Sequence, residues 1–225
     1  MFTDRVDAGR QLGARLSRRL RGAGPGPARQ PGEPPLLGPD RPVVLGLPRG
    51  GVPVAAEVAR ALDGELDVLV VRKIGVPWQP ELALGAVGED GIQVMNEGIA
   101  SACALTPGQL EELASRARAQ VEARLHQLRA GRAAVPLAGR TAIVVDDGIA
   151  TGATMRAAVD VVRAHGAAWV VVAVPVAAAD AIEALRASVD ELVVLLAPAD
   201  LGGVGLWYAD FTQTTDAEVA SLLGH

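Results

Sequence analysis

Short apolar runs that alternate with helical patterns are the feature that most constrains the fold of this chain. Five runs are rich in branched residues: Val43–Leu47, Leu66–Lys73, Thr141–Val145, Trp169–Val176 and Glu191–Ala197. Helical patterns follow most of them, at Val52–Leu62, Thr154–His165 and Ala178–Ser188. Continuous apolar runs are typical of strands buried on both faces, and helical connections between strands favour parallel pairing. The sequence therefore predicts an α/β fold with a five-stranded parallel sheet flanked by helices.

The rest of the chain is predicted to belong to the same single domain, residues 1–225. Residues 2–21 have the apolar spacing of an amphipathic helix, and residues 22–42 are rich in Pro and Gly and predict an irregular connection. A Gly-rich C-terminal tail, residues 198–225, is expected to end in a short helix near Asp216–Leu223. We expect the two terminal segments to form a small hood.

Between the second and third predicted strands, the sequence predicts a hairpin and a long helix. Leu84–Val87 pairs with Ile92–Met95 through a turn at Glu89–Gly91. The segment Thr106-Pro107-Gly108-Gln109 has the pattern of a capping box with Pro at the first helical position, so the helix is predicted to begin there.

The loop after the third predicted strand bears most directly on function. Asp146 and Asp147 follow Val145, and a loop rich in Gly and Thr then runs to Thr154. Successive backbone N–H groups at the start of a helix can bind a phosphate, and the Thr hydroxyls can donate further bonds. Carboxylates accept hydrogen bonds from hydroxyl groups, so a sugar phosphate fits both halves of the loop. The open alternative is a solvated acidic turn that only caps the next helix.

The stretch from Val144 to Thr154 resembles the phosphoribosyl-diphosphate motif of type I phosphoribosyltransferases, in which two acids precede a Thr-Gly-x-Thr loop. Within that family the whole chain is most similar to a bacterial branch with two motifs, Pro-Arg-Gly-Gly, here at residues 48–51, and Asp-Asp-Gly-Ile-Ala-Thr-Gly, here at residues 146–152. The resemblance implies that Asp146 and Asp147 are catalytic, hold the ribose hydroxyls and stabilise an oxocarbenium-like transition state. The loop residues that it assigns to phosphoribosyl diphosphate are Gly148, Ile149, Ala150, Thr151, Gly152, Ala153 and Thr154, of which Ile149 to Thr154 take the 5′-phosphate.

Two further segments extend the resemblance to the diphosphate. Leu47–Gly51 looks like the pyrophosphate loop of the family, where a strained peptide exposes N–H groups, and the residues assigned to it are Arg49, Gly50 and Gly51. Arg72 and Lys73 are similar to an Arg-Lys pair that approaches the pyrophosphate in several relatives. Lys73 is also the only lysine among 21 basic residues, which favours a catalytic role that needs an ammonium group. The alternatives are an ordinary Gly-rich turn and a charged strand end.

Residues 75–97 take the place of the flexible loop that, in the family, closes over the reacting centre and excludes water. Glu81 within this loop is interpreted either as a base or loop clamp or as a solvated charge. The hood is expected to bind the acceptor, with three aromatic residues stacking on a planar base: Trp207, Tyr208 and Phe211. The alternative for these aromatic residues is a hydrophobic lid over the sheet.

The resemblance implies transfer of 5-phosphoribosyl from phosphoribosyl diphosphate to a nitrogenous, nucleobase-like acceptor, with release of pyrophosphate. This is a pentosyltransferase reaction of nucleotide metabolism. Mg²⁺ is the implied cofactor because the diphosphate charge must be neutralised, and Asp146 and Asp147 would bind it directly or through ribose hydroxyls or water. Two alternatives stay open: a regulator that binds phosphoribosyl diphosphate without turnover, and a hydrolase acting on a ribose phosphate.

Charge and hydropathy limit the partners that we expect. The net charge is −5 and the basic residues are scattered, which argues against binding of nucleic acid. No apolar run is long enough to span a bilayer and no leader pattern is present, so we expect no membrane association and a cytoplasmic location. A single cysteine, Cys103, excludes an intrachain disulfide. The resemblance implies a homodimer.

Overall fold

The computed structural model describes residues 1–20 and 40–224, leaving out the side chains of Pro80 and Glu81. The predicted irregular connection therefore lies mostly outside the described residues, as does the side chain proposed as a base or clamp. The elements are α1 (Arg5–Leu20), β1 (Val43–Gly46), α2 (Gly51–Leu62), β2 (Glu65–Val68), β3 (Arg72–Val76), β4 (Gln79–Val87), β5 (Gln93–Met95), α3 (Glu97–Ala102), α4 (Pro107–Arg129), β6 (Thr141–Val145), α5 (Ala153–Ala164), β7 (Trp169–Val176), α6 (Ala179–Arg186), β8 (Glu191–Leu196), a 3₁₀ helix (Val204–Trp207) and α7 (Asp216–Leu222).

The predicted five-stranded parallel sheet is confirmed, with strand order β2-β1-β6-β7-β8. Side chains alternate between its two faces, as the pleat of a strand requires. Val44, Ile143 and Val171 pack under α1 and α2, whereas their neighbours in sequence pack under α5 and α6. Because both faces are covered, the three central strands are apolar at almost every position, which is the pattern that the sequence shows.

The predicted single strand over Leu66–Lys73 is wrong, because two strands of different sheets occupy this stretch. β2 stays in the main sheet, and Leu69 donates the last backbone hydrogen bond to Gly46 at 3.1 Å. The chain then crosses to a second hydrophobic core, where Val70 and Ile74 are buried. The crossing lies within the apolar residues Val68–Val70, all of them buried, so the sequence pattern does not mark the point at which the chain changes sheets.

A small antiparallel sheet, β3-β4-β5, occupies the segment predicted as a flexible loop. The predicted hairpin is confirmed, and β4 begins at Gln79 rather than at Leu84, so that it also pairs with β3. One face of this sheet packs against α4, whose N-terminus has the predicted capping box between Thr106 and Gln109. Closure of this segment over a ligand stays a prediction.

The two chain ends meet beside the main sheet, as expected for the hood. Phe2 donates its N–H to the carbonyl of Trp207 at 2.8 Å and accepts from the N–H of Ala209 at 2.8 Å. Phe2 and Tyr208 also pack together in a small core with ring centroids 5.4 Å apart. In the part of the chain that the structure describes, no helix has the length and apolarity needed to cross a membrane.

Candidate functional site

Two loops meet at the carboxyl ends of the neighbouring strands β1 and β6. The first is Leu47–Gly51, in which the Pro48–Arg49 peptide bond is cis, and the second is Asp146–Thr154. A Cβ atom at Gly50 would lie 1.9 Å from Oδ2 of Asp147. A Cβ atom at Gly51 would lie 2.6 Å from the Val145 carbonyl oxygen. Glycine at both positions therefore allows the pyrophosphate-type loop to lie directly against the acidic loop.

Asp147 faces this junction and is held by a residue from the other end of the chain. Arg5 of α1 donates its Nε–H to Oδ2 of Asp147 at 2.8 Å, and the Asp147 side chain is only 15% exposed. Burial raises the pKa of Asp147, whereas the Arg5 guanidinium partly offsets this effect by stabilising the carboxylate. Ionisation of Asp147 thus depends on Arg5.

Asp146 lies deeper and turns back toward the loop. Its Oδ1 accepts the backbone N–H of Asp147 at 2.9 Å and would lie 3.1 Å from a Cβ atom at Gly51. Burial raises the pKa of Asp146 well above its ordinary value, and the neighbouring Asp147 carboxylate raises it further. Two carboxylates placed this way favour a ligand that brings positive charge or donates hydrogen bonds.

A cleft of about 880 Å³ opens at the junction of the two loops. It brings together five of the predicted site residues: Arg49, Gly50, Arg72, Asp147 and Phe211. Pro48 of the predicted pyrophosphate-type loop also lines it, together with four residues that were not predicted: Arg5, Arg124, Gln213 and Thr214. Four arginines in one cleft favour binding of a group with several negative charges.

The predicted phosphate loop leads directly into α5. Gly152 has φ +75° at the N-cap position, and the helix has no side-chain cap there. Ile149 is anchored, since its N–H donates to the Val176 carbonyl at 2.9 Å and its side chain is buried. Thr151 and Thr154 are exposed. The uncapped start of α5 leaves backbone N–H groups that a phosphate could accept from, and Ile149 anchors the loop; the phosphate-binding role of the loop stays a prediction.

Lys73 does not line the same cleft as Arg72. Successive residues of a strand point to opposite faces, and on β3 Lys73 lines a second cavity of about 570 Å³ between the small sheet and α5. Ala153 and Arg156 form the opposite wall of that cavity. The catalytic role assigned to Lys73 stays a prediction.

The three predicted acceptor residues occupy different environments. Tyr208 is 5% exposed, and its hydroxyl donates to the backbone carbonyl of Asp147 at 2.5 Å, so it supports the acidic loop. Its buried position beside Asp147 raises the pKa of its phenol. Trp207 donates its Nε1–H to the Leu201 carbonyl at 3.1 Å. Phe211 alone of the three lines the cleft, where the Arg5 guanidinium stacks 3.9 Å from its ring centroid.

Arg5, Arg124 and Asp216 were missed because no motif marks them. Arg124 donates from both terminal nitrogens to the Asp216 carboxylate, each at 2.6 Å, and Asp216 also lies 3.8 Å from Nη1 of Arg49. These contacts join α4, α7 and the loop after β1, which are far apart in sequence. The one available signal was the surplus of arginine over lysine, which favours planar, bidentate contacts with anions.

Comparison with known proteins supports the same family. A model described as the phosphoribosyl transferase domain matches residues 36–206, a range that includes both loops. The crystal structure of the protein TT1426 from Thermus thermophilus is 44% identical with a TM-score of 0.85, covering 99% of this chain and 97% of that chain.

A Mycobacterium tuberculosis H37Rv protein named "Putative phosphoribosyl transferase Rv0571c" is 47% identical over 223 residues, 99% of this chain and 46% of that protein. The corresponding protein of a second strain of the same species matches equally well. The chain thus spans about half the length of these curated relatives. Since the family model covers most of the chain and both loops of the site, the chain belongs to the phosphoribosyl transferase domain family.

Proposed function

We propose that the chain transfers 5-phosphoribosyl from phosphoribosyl diphosphate to a nitrogenous acceptor and releases pyrophosphate. The observation that supports this best is the contact between the two loops at Gly50 and Asp147. A ligand whose phosphate is bound at Ile149–Thr154 lies with its other end beside Leu47–Gly51. Phosphoribosyl diphosphate has a phosphate at one end, hydroxyls in the middle and a diphosphate at the other end, which matches this order of groups.

The residues of the site position the two reactants and stabilise the charges that develop during the reaction. In the proposed reaction, the nitrogen lone pair of the acceptor forms the new bond to C1 of the ribose. The C1–O bond breaks, and its electron pair leaves with the pyrophosphate. Where the attacking nitrogen carries a proton, that proton passes to water. Positive charge develops on the sugar in between, and the Asp147 carboxylate stabilises this charge at the wall of the cleft. The arginines in the same cleft stabilise the departing polyanion.

The site fits a magnesium ion that arrives with the diphosphate. Within residues 1–20 and 40–224 no three His, Cys, Asp or Glu side chains are clustered as a metal site, so the protein offers no complete cage. Mg²⁺ commonly binds to one or two carboxylates together with substrate phosphates and water. Asp146 and Asp147 would supply the protein side of such a site, directly or through ribose hydroxyls. The ion would neutralise the diphosphate.

The decisive experiment is an assay of pyrophosphate release from phosphoribosyl diphosphate and Mg²⁺ with a panel of nucleobases and related amines. We expect release only with a suitable acceptor. Saturable binding without release would instead assign the chain to the class of binding proteins. Release at the same rate without any acceptor would assign it to the hydrolases.

We predict that Asp147→Asn lowers turnover much more than it lowers stability. Loss of the carboxylate should lower kcat by about 100-fold or more, since electrostatic groups of this kind contribute two to three orders of magnitude. The melting temperature should change little, because the Oδ1 atom of asparagine can still accept the hydrogen bond from Arg5, and Arg5 keeps its contacts with the Thr212 carbonyl and Phe211. Asp180→Asn, at an exposed acid on α6, is the control. Equal turnover in the two variants would remove Asp147 from the mechanism.

A further inference from the structure

Arg5, Arg49, Arg72 and Arg124 line one cleft although they belong to four different parts of the fold. Arg49 and Arg72 lie in segments that the family resemblance assigns to the diphosphate. Arg5 on α1 and Arg124 on α4 lie in no such segment. Asp147 and Asp216 pair with three of these arginines, and a bound polyanion would offset the repulsion that remains among the four positive charges.

Two of these arginines already share an anion in the structure. The Asp216 carboxylate accepts two hydrogen bonds from Arg124 and lies 3.8 Å from Arg49. The Arg49 and Arg124 side chains keep 34% and 21% of their surface exposed toward solvent. The carboxylate thus occupies a position between two guanidinium groups that suits one end of a diphosphate.

Arg5 lines the same cleft from α1, and three contacts hold its side chain there. Its Nε–H binds Asp147, one terminal nitrogen donates to the Thr212 carbonyl at 2.7 Å, and its guanidinium stacks on Phe211. These contacts fix the plane of the guanidinium, and its side chain is only 11% exposed. A fixed guanidinium loses little conformational freedom when it binds an anion.

We propose that Arg5 and Arg124 bind the diphosphate group of the ligand together with Arg49 and Arg72, and that Asp216 competes with the diphosphate for Arg124. The identification of this diphosphate as part of phosphoribosyl diphosphate rests on the proposed function. The recognition of a polyanion by the four arginines does not, because it follows from the residues that line the cleft.

The test measures binding of inorganic pyrophosphate by isothermal titration calorimetry. Arg124→Gln should weaken binding by about tenfold or more, the effect typical of one charge-assisted hydrogen bond. Arg124→Lys keeps the charge but loses the bidentate geometry, so its affinity should lie between those of the wild type and Arg124→Gln. Arg116→Gln is the matched control, since Arg116 is exposed on the same helix and pairs with Glu112. It should bind pyrophosphate as the wild type does.

Asp216→Asn separates a ligand-binding role from a structural one. Removal of the competing carboxylate should tighten pyrophosphate binding by about two- to fivefold, whereas loss of a merely structural ion pair would leave it unchanged or weaken it. The proposal is overturned if the wild type does not bind pyrophosphate. It is equally overturned if folded Arg124→Gln and Arg124→Lys both bind as tightly as the wild type, or if Asp216→Asn does not tighten binding.

Ribose 5-phosphate serves as the second probe and keeps the two proposals distinguishable. Arg124→Gln should bind ribose 5-phosphate as tightly as the wild type does, because the phosphate of this probe should bind to the loop Ile149–Thr154. If the wild type binds pyrophosphate but neither ribose 5-phosphate nor phosphoribosyl diphosphate, the proposed function fails while the arginine site stands.

Discussion

Asp147 combines two requirements that oppose each other. The proposed reaction needs its carboxylate ionised beside a developing positive charge, yet burial raises its pKa. Arg5 lowers that pKa in part through the hydrogen bond between its Nε–H and Oδ2. The charge on this residue is therefore controlled by a contact that spans 142 positions of the sequence.

Arg5→Gln should shift the acidic limb of the pH–kcat profile to higher pH. The sign follows from the contact: without the guanidinium, the charged form of Asp147 loses stabilisation and its pKa rises further. A higher pKa leaves a smaller ionised fraction at each acidic pH. Arg10→Gln is the control, since Arg10 lies on the same helix, is 69% exposed and pairs with Glu57. If the acidic limb of Arg5→Gln coincides with that of the wild type, Arg5 does not set the ionisation of Asp147.

The sequence predicted the acids of the site but not their partners, for a physical reason. Asp146 and Asp147 stand in a local pattern in which strand, loop and helix follow one another within a few residues. Arg5 and Arg124 become site residues only when α1 and α4 dock beside the sheet. One arginine among 21 basic residues carries no local sign of such a contact.

At the scale of elements, a buried ion cluster joins the two sheets. Arg129 in the last turn of α4 donates to both carboxylate oxygens of Asp67 on β2, each at 3.0 Å, and binds Glu89 at the β4–β5 turn. All three residues are buried. Asp67 also accepts the backbone N–H of Val135 at 2.9 Å. The cluster therefore fixes one end of the small sheet, which was predicted to move, against the sheet that carries the acids.

Arg129→Met should lower the free energy of unfolding by about 3–5 kcal/mol, because it leaves two buried carboxylates without their cation. Urea denaturation at neutral pH measures this change. Arg116→Met, on the same helix, breaks only an exposed pair with Glu112 and should cost less than about 1 kcal/mol. Similar losses in the two variants would mean that the cluster does not hold the sheets together.

The strands of the two sheets differ in how well the sequence predicts their bounds. The bounds of β6 and β7 agree with their apolar runs, because both strands are central and their branched residues stop at Asp146 after β6 and at the alanines 177–179 after β7. The hairpin and the capping box of α4 were also predictable from local turn and cap chemistry. β3 was not, because only packing against α4 decides that the apolar run leaves the main sheet at Leu69.

At the scale of the whole molecule, the polar groups of the candidate site lie together at the carboxyl ends of the parallel strands. Loops after β1 and β6 provide the glycines and the acids, while α1, α4 and the tail add arginines and Tyr208 from outside the sheet. Both chain ends thus stabilise the site rather than only cover it, since Phe2 pairs with the tail beside the acidic loop. A ligand that contacts all of these parts should stabilise the fold as a whole.

Phosphoribosyl diphosphate with Mg²⁺ should therefore raise the melting temperature of the chain. At a hundredfold excess over Kd, binding stabilises the native state by about 2.7 kcal/mol. For a domain of this size the corresponding rise is roughly 5–11 °C, measurable by differential scanning calorimetry. Chelation of Mg²⁺ should shrink the rise, because the diphosphate charge is then not neutralised.

Gly50→Ala tests whether this stabilisation comes from the junction of the two loops. Its Cβ atom would lie 1.9 Å from Oδ2 of Asp147, so this carboxylate must leave its place beside Arg5 or the two loops must move apart, and most of the ligand-induced rise should disappear. Gly108→Ala is the control, because a Cβ atom there meets no other atom within 4 Å. A full rise in Gly50→Ala would mean that ligand binding does not depend on this junction, and it would contradict a binding site across both loops.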